Sequence, residues 1–386
     1  MYQRLAAARL RDLAQRVPAI VILGARQAGK TTLARSVFPD RPYLDCEDPA
    51  TAAQLREDPR FVIERRERDG LVIDEAQAVE GVFAAVRGLV DAGRSRNGRF
   101  VILASAQPSL VRGAAESLAG RAVVVELSPL AACEAATGSV PADWRTLWLK
   151  GGFPGAIHVD FSLWWEAHLR LYIERDLPQY GVAADPVLAR RLLTMLAHSQ
   201  GGLLNASLLG DALGVSYHTV QRYLSAFEQT FMLRFLRPYF RNVGKRLVKA
   251  PKVYLRDTGL LHHLLGIRTP EQLESHPVRG ASWETFVIED VLRREQIAYP
   301  DSYACFWRTA AGAEIDLVID RGARRVALEA KTSGATRPRV IRGLEDGLAD
   351  VDAGRGWIVD PMPGIERLGE RVARAGFGSV IDGTPD

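Results

Sequence analysis

The chain has 386 residues, of which 47% are apolar and 25% charged, with a formal net charge of +4. That length suits two or three domains, and the composition is that of a globular protein rather than a disordered or fibrous one. No apolar run reaches the ~18 residues of a membrane-spanning helix, and Cys46, Cys133 and Cys305 are too scattered for a disulfide framework or a zinc site.

The N-terminal stretch Met1 to Pro18 is rich in Arg and Ala without a long apolar centre. It predicts an amphipathic helix rather than a secretory signal. With the cysteine usage, this points to the cytoplasm and to no membrane partner. Beyond it, residues 19–130 alternate helix candidates with the short apolar segments Val21–Leu23, Tyr43–Asp45, Leu71–Asp74, Phe100–Ala104 and Ala122–Leu127. That alternation predicts an α/β parallel sheet.

Between the first strand and the helix Thr31–Val37 runs Gly24-Ala25-Arg26-Gln27-Ala28-Gly29-Lys30-Thr31, a full match to G-x-x-x-x-G-K-[ST]. Glycines let such a loop wrap phosphate with its N–H groups inward. Lys30 is expected to neutralise the β- and γ-phosphates and Thr31 to offer its hydroxyl to Mg²⁺, while the helix N-terminus faces the anion. The expected ligands are ATP and Mg²⁺. Leu71-Val72-Ile73-Asp74-Glu75 is the companion: Asp74 is expected on the Mg²⁺ water shell, and Glu75 on the attacking water. An ordinary strand ending in an acidic turn is the alternative. After the strand Phe100–Ala104, Ser105 or Gln107 is in position for the γ-phosphate or the water, or is a plain loop residue. Arg121, at the entrance to the next strand, is a candidate for transition-state charge, in its own subunit or across a homo-oligomer interface. A surface arginine or local ion pair is the other reading.

Gly151-Gly152-Phe153-Pro154-Gly155 breaks the chain before a mostly helical region, 162–235. Within it, Leu204 to Ser216 has the pattern of the first half of a helix-turn-helix, with Asn205 or Ser207 as cap and Gly214 at the turn. Ser216 then caps a helix over Tyr217–Gln229. Its residues Val220, Tyr223, Leu224 and Phe227 form one apolar stripe, and His218, Thr219, Gln221 and Arg222 face outward, suited to base edges or phosphates. From Arg234 to Lys252 the cations Arg234, Arg237, Arg241, Lys245, Arg246, Lys249 and Lys252 follow with no intervening acid. They read as a β-wing lying on phosphate, with steep salt dependence. A protein-contacting or lid module is the alternative.

From Ser282 the order is helix, three strands, helix, strand. Glu284 lies in the helix, Asp316 in the strand Glu314–Ile319, and Leu328-Glu329-Ala330-Lys331 ends the next strand. This is the order E…D…E-x-K of restriction-endonuclease-like nucleases. In that chemistry Asp316 and Glu329 hold Mg²⁺ with help from Glu284, and Lys331 orients the nucleophile. Residues two apart on a strand share a face, which puts Glu329 and Lys331 in one cleft.

Taken together, the chain resembles prokaryotic AAA-superfamily ATPases with a C-terminal domain of unknown function. The matching pieces are the P-loop followed by Thr32-Leu33, Cys46-Glu47-Asp48-Pro49, Asp74-Glu75-Ala76-Gln77 and Glu116-Ser117-Leu118-Ala119-Gly120-Arg121. They continue through Gly151-Gly152-Phe153-Pro154, Tyr172-Ile173-Glu174-Arg175-Asp176 and Lys249 to Leu260. One departure is Ala104-Ser105-Ala106, where the family usually has Gly-Ser-Ser. The resemblance implies a P-loop ATPase module over 1–140, a helical linker and winged-helix module over 141–270, and a restriction-endonuclease-like α/β domain over 271–386. Nucleotide contacts are expected from Gly24 to Thr32 and Ser105. The expected function is a Mg-dependent, DNA-directed ATPase. The alternatives are a nucleotide-dependent switch that binds a protein partner, and an ATP-gated nuclease.

Overall fold

The computed structural model describes residues 2–93, 96–105, 118–180, 185–239, 249–310, 312–333 and 337–381. The chain divides into two compact units, Met1–Leu130 with Gln229–Phe231, and Ala131–Glu228 with Met232–Asp386.

The first unit is built on a five-stranded parallel sheet in the order β2-β3-β4-β1-β5. Its strands are β1 (Ala19–Leu23), β2 (Tyr43–Asp45), β3 (Leu71–Asp74), β4 (Phe100–Ala104) and β5 (Ala122–Glu126). β1, β3 and β4 are buried along their whole length, as the unbroken runs of Ile, Val and Leu require of inner parallel strands. The helices are α1 (Ala6–Arg16), α2 (Lys30–Val37), α3 (Pro49–Glu57), α4 (Pro59–Glu64) and α5 (Val82–Ala92). Asp48 and Asp58 cap α3 and α4 by accepting from the Thr51 and Phe61 amides, each ahead of a proline in the first turn.

The second unit carries an eight-stranded mixed sheet in the order β12-β13-β11-β10-β9-β8-β6-β7. These strands are β6 (Leu233–Pro238), β7 (Lys252–Leu255), β8 (Tyr303–Arg308), β9 (Glu314–Asp320), β10 (Arg325–Ala330), β11 (Gly356–Asp360), β12 (Ile365–Arg367) and β13 (Val372–Gly376). The longer helices are α6 (Phe161–Leu171), α7 (Pro186–His198), α8 (Ala206–Leu213), α9 (Tyr217–Gln229), α10 (Thr258–Leu264), α11 (Arg279–Ala298) and α12 (Pro338–Val351). The expected order of helix, three strands, helix, strand is present as α11, β8, β9, β10, α12 and β11, and β12 and β13 follow it. α12 buries Leu344, Leu348 and Val351 against Trp307, Ile315 and Ile358.

The antiparallel pair β6–β7 belongs to this same sheet, because β6 runs parallel to β8 through Arg237↔Cys305 and Pro238↔Phe306. The segments 141–270 and 271–386 therefore share one sheet. Two family motifs meet in this unit. Asp257 accepts from the amides of Gly152 and Gly259, and a Cβ on Gly259 would stand 1.9 Å from the Lys150 carbonyl oxygen. Their chemistry is that of a close backbone crossing. Tyr172 to Asp176 forms a π-helical turn between α6 and the turn Leu177–Gln179.

Candidate functional sites

In the first unit, β4 lies between β1 and β3, so the P-loop and Asp74-Glu75 leave strands that are not neighbours. Ser105, just past β4, fills the gap. Lys30 Nζ donates to Ser105 Oγ at 2.9 Å, and Ser105 Oγ donates to Glu75 Oε1 at 2.7 Å. Lys30 is buried and also donates to the Gly24 and Ala25 carbonyls at 2.9 and 3.1 Å. Glu75 has a left-handed backbone, φ 47°, and its other oxygen accepts from Gln77. For a bulky residue that conformation is strained and re-aims the side chain.

Thr31 Oγ1 donates to Asp74 Oδ2 at 2.6 Å, and the Tyr43 hydroxyl donates to the same oxygen. Burial and Asp74 push the Tyr43 hydroxyl's pKa up, so it remains a donor. Hydroxyl and carboxylate oxygens held this close suit a hard cation such as Mg²⁺.

The loop itself is shaped by two glycines. A Cβ on Gly24 would stand 2.1 Å from the Leu127 carbonyl oxygen, and Gly29 has φ 99° at the start of α2. Arg26 pairs with Glu47, while Gln27 and Thr32 are exposed. Cys46 of the same family motif is buried, and burial followed by Asp45 pushes its thiol up to about 12. Arg121 forms a bidentate pair with Asp91 of the same chain at 2.8 and 2.9 Å, a local ion pair.

Sequence reasoning missed Tyr43, Asp91 and Arg4. The Arg4 guanidinium donates to the Ala28 and Ser128 carbonyls at 2.8 and 2.5 Å, tying the N-terminal segment to the loop. Only a fold-wide view brings Tyr43 and Arg4 to the site and Asp91 to Arg121. Gln107, Glu116 and Ser117 lie outside the described residues.

In the second unit the helix-turn-helix pattern takes shape as α8, Gly214 at φ 70°, and α9. Asn205 accepts from the Leu208 amide and Ser216 from the Thr219 amide, capping each helix. Val220, Tyr223, Leu224 and Phe227 are buried, His218 and Arg222 are exposed, and Gln221 is half-buried. The basic stretch needs a correction. Arg234 pairs with buried Glu289, and Lys252 is buried among carboxylates. Neither is open to phosphate, because buried acids from α11 and β9 face them. Arg237 and Lys249 are exposed, whereas Arg241, Lys245 and Arg246 lie outside the described residues.

Glu284, Asp316 and Glu329 do converge, but around ammonium groups. Lys252 Nζ stands 2.8 Å from Glu284, 2.5 Å from Glu314 and 3.3 Å from Asp316. Lys331 Nζ stands 2.5 Å from Glu329 and 3.7 Å from Asp316. Burial by itself lowers the pKa of the Lys252 ammonium, yet Asp316 and the neighbouring acids override this and hold it above its ordinary value. Burial, then the Asp316 charge, raises Glu284 to about 7 and Glu329 to about 8. Among the described residues no group of His, Cys, Asp and Glu is arranged to hold a metal ion. Lys252 and Glu314 of this cluster carried no sequence signal as members, since alternation on β9 accounts for Glu314 only once Asp316 is placed.

A family profile described as an AAA domain matches residues 16–136. Two profiles described as domains of unknown function, DUF8612 and DUF4143, match 141–271 and 279–375. The uncharacterized protein Rv2008c of Mycobacterium tuberculosis strain H37Rv is 41% identical over 366 residues, spanning 93% of this chain and 80% of that protein. Mb2031c of Mycobacterium bovis matches to the same extent. The chain belongs to their family. Its N-terminal unit carries the match to the AAA domain.

Three solved structures are similar at low identity. The Walker-type ATPase PABY2304 of Pyrococcus abyssi has a TM-score of 0.44 and 15% identity, over 67% of this chain and 94% of that one. The RuvB Holliday junction branch migration motor of Thermotoga maritima has 0.30 and 18%, over 60% and 85%. The ORC1 protein of Aeropyrum pernix, solved in complex with DNA, has 0.31 and 14%, over 69% and 97%. Among the described residues no helix is long and apolar enough to cross a membrane.

Proposed function

We propose that the AAA domain binds ATP with Mg²⁺ and hydrolyses it, and that turnover is coupled to DNA held by the helix-turn-helix and wing. The observation that carries the first part is the chain Lys30–Ser105–Glu75 beside the pair Thr31–Asp74. Lys30 sits where its ammonium leaves the Gly24 and Ala25 carbonyls for a phosphate oxygen. Thr31 and Asp74 would hold Mg²⁺, which supplies charge neutralisation on the phosphates. Glu75, once free of Gln77, accepts the proton of the attacking water. Ser105 couples the two, reading phosphate through Lys30 and aiming Glu75. Arg121 acting on a neighbouring subunit requires a homo-oligomer and release of the Asp91 pair.

DNA is supported by the exposed His218 and Arg222 on α9, with exposed Arg237 near the end of β6 and Lys249 ahead of β7. Turnover measured with and without single-stranded, duplex and branched DNA tests both parts together. Lys30→Ala should abolish turnover, and unchanged turnover in that variant would end the ATPase reading. A second reading, a switch that docks a protein, draws support from Leu208 and Tyr217 of the same motif, 63% and 48% exposed. No DNA binding at low salt would favour it.

A further inference from the structure

The carboxylates of the tail are arranged as a metal-dependent nuclease would arrange them in sequence, yet their centre is already filled. Lys252 enters from β7, a strand contributed from beyond the nuclease-like segment. Its side chain is 3% exposed and ion-paired to Glu284 of α11 and to Glu314 and Asp316 of β9. Glu284 Oε1 accepts a second bond, from the Tyr254 hydroxyl at 2.5 Å. Asp316 Oδ2 is taken by the Ala330 amide at 3.0 Å, and Glu329 spans Lys331 and the Asp316 amide at 2.5 and 3.3 Å.

A divalent cation needs several of these oxygens at ~2.0–2.6 Å around one point. An ammonium within 2.5–3.3 Å of three of the acids occupies that point. A buried carboxylate cluster must be neutralised somehow. Lys252 and Lys331 do this within the chain.

We propose that Lys252 is the resident cation of this cluster, standing in place of a divalent metal, so that the second unit holds its ligands without metal-dependent cleavage. The lysine then has a further effect. It fastens β7, the return strand of the wing, to α11 and β9, so the acids serve to position the wing rather than a scissile phosphate.

The test is Mn²⁺ binding to the full chain without nucleotide, followed by electron paramagnetic resonance, in wild type, Asp316→Asn and Lys252→Ala. Any ion at Thr31 and Asp74 contributes equally to all three. The expected result is identical binding in wild type and Asp316→Asn, with about one additional ion per chain in Lys252→Ala. The additional ion should disappear in Lys252→Ala/Asp316→Asn. Wild-type binding lost in Asp316→Asn would overturn the proposal, as would Mn²⁺-dependent plasmid cleavage with that dependence. A folded Lys252→Ala that gains no ion would overturn it too. Should Lys252→Ala not fold, the comparison of wild type with Asp316→Asn still decides.

Discussion

Ser105→Ala isolates the step that distinguishes a working ATPase site from a phosphate cradle. The hydroxyl is buried, 4% exposed, and bridges a cation and a carboxylate at 2.9 and 2.7 Å. A hydrogen bond to a charged partner contributes about 1.5–3 kcal/mol. In the empty site Gly24 and Ala25 still hold Lys30 in place after the substitution, ready for phosphate, so binding of the ground state should change by less than about threefold. The bond to Glu75 has no substitute, because Gln77 holds the other carboxylate oxygen. If about 2 kcal/mol of that alignment is needed only in the transition state, kcat falls about 30-fold. Steady-state phosphate release gives kcat, and displacement of a fluorescent nucleotide gives affinity. Unchanged kcat, or a loss of affinity that accounts for the whole fall in kcat/KM, would refute the reasoning.

Thr31→Ala and Asp74→Asn should each bind nucleotide equally with and without Mg²⁺, while wild type binds more tightly with it; a retained Mg²⁺ effect in both would count against their assignment. Gly24→Ala drives a methyl into the Leu127 carbonyl at 2.1 Å and should cost about 2–3 kcal/mol in urea unfolding. His262 is buried between Ser282 and the Leu149 carbonyl, and burial lowers it from 6.5 to about 4. Unfolded chains protonate it first as pH falls, so stability present above 6.5 is lost towards 4. The loss is about 2 kcal/mol at pH 5 relative to pH 7 and should shrink in His262→Gln. Arg222→Ala and Arg237→Ala should each weaken DNA binding and reduce its log–log salt slope by about one phosphate's worth; an unchanged slope would remove that residue from the interface.

The first unit was legible because its chemistry lies at strand ends, where apolar runs stop and polar residues begin. β1, β3 and β4 announce themselves as Ile, Val and Leu, and Lys30, Asp74 and Ser105 lie at or just past their ends. What could not be read was strand order. Placing β4 between β1 and β3 is a tertiary choice, and it converts Ser105 from one candidate among loop residues into the bridge between Lys30 and Glu75. Arg4 and Tyr43 were invisible for a related reason, since an arginine in an N-terminal helix and a tyrosine opening a strand look like ordinary surface and core. In the second unit, helix caps and the apolar stripe of α9 carried local information and were readable. The basic run misled because charge in a sequence has no address. Arg234 and Lys252 look like their neighbours until buried Glu289 and half-buried Glu284 are placed beside them.

The sheet that joins β6 to β8 has a consequence for inheritance. The matched segments 141–271 and 279–375 divide between Lys252 and the acids that surround it. A fragment ending near 271 keeps the Lys252 ammonium and loses every acid around it. It also bares the β6 edge that Phe306 covers through the Tyr239 amide. The complementary fragment keeps Glu284, Glu314 and Asp316 and loses their cation. Each half is therefore a poor solo traveller. Gene fusions, truncations and chimaeras among these proteins should succeed only where the lysine and its acids move as one heritable piece.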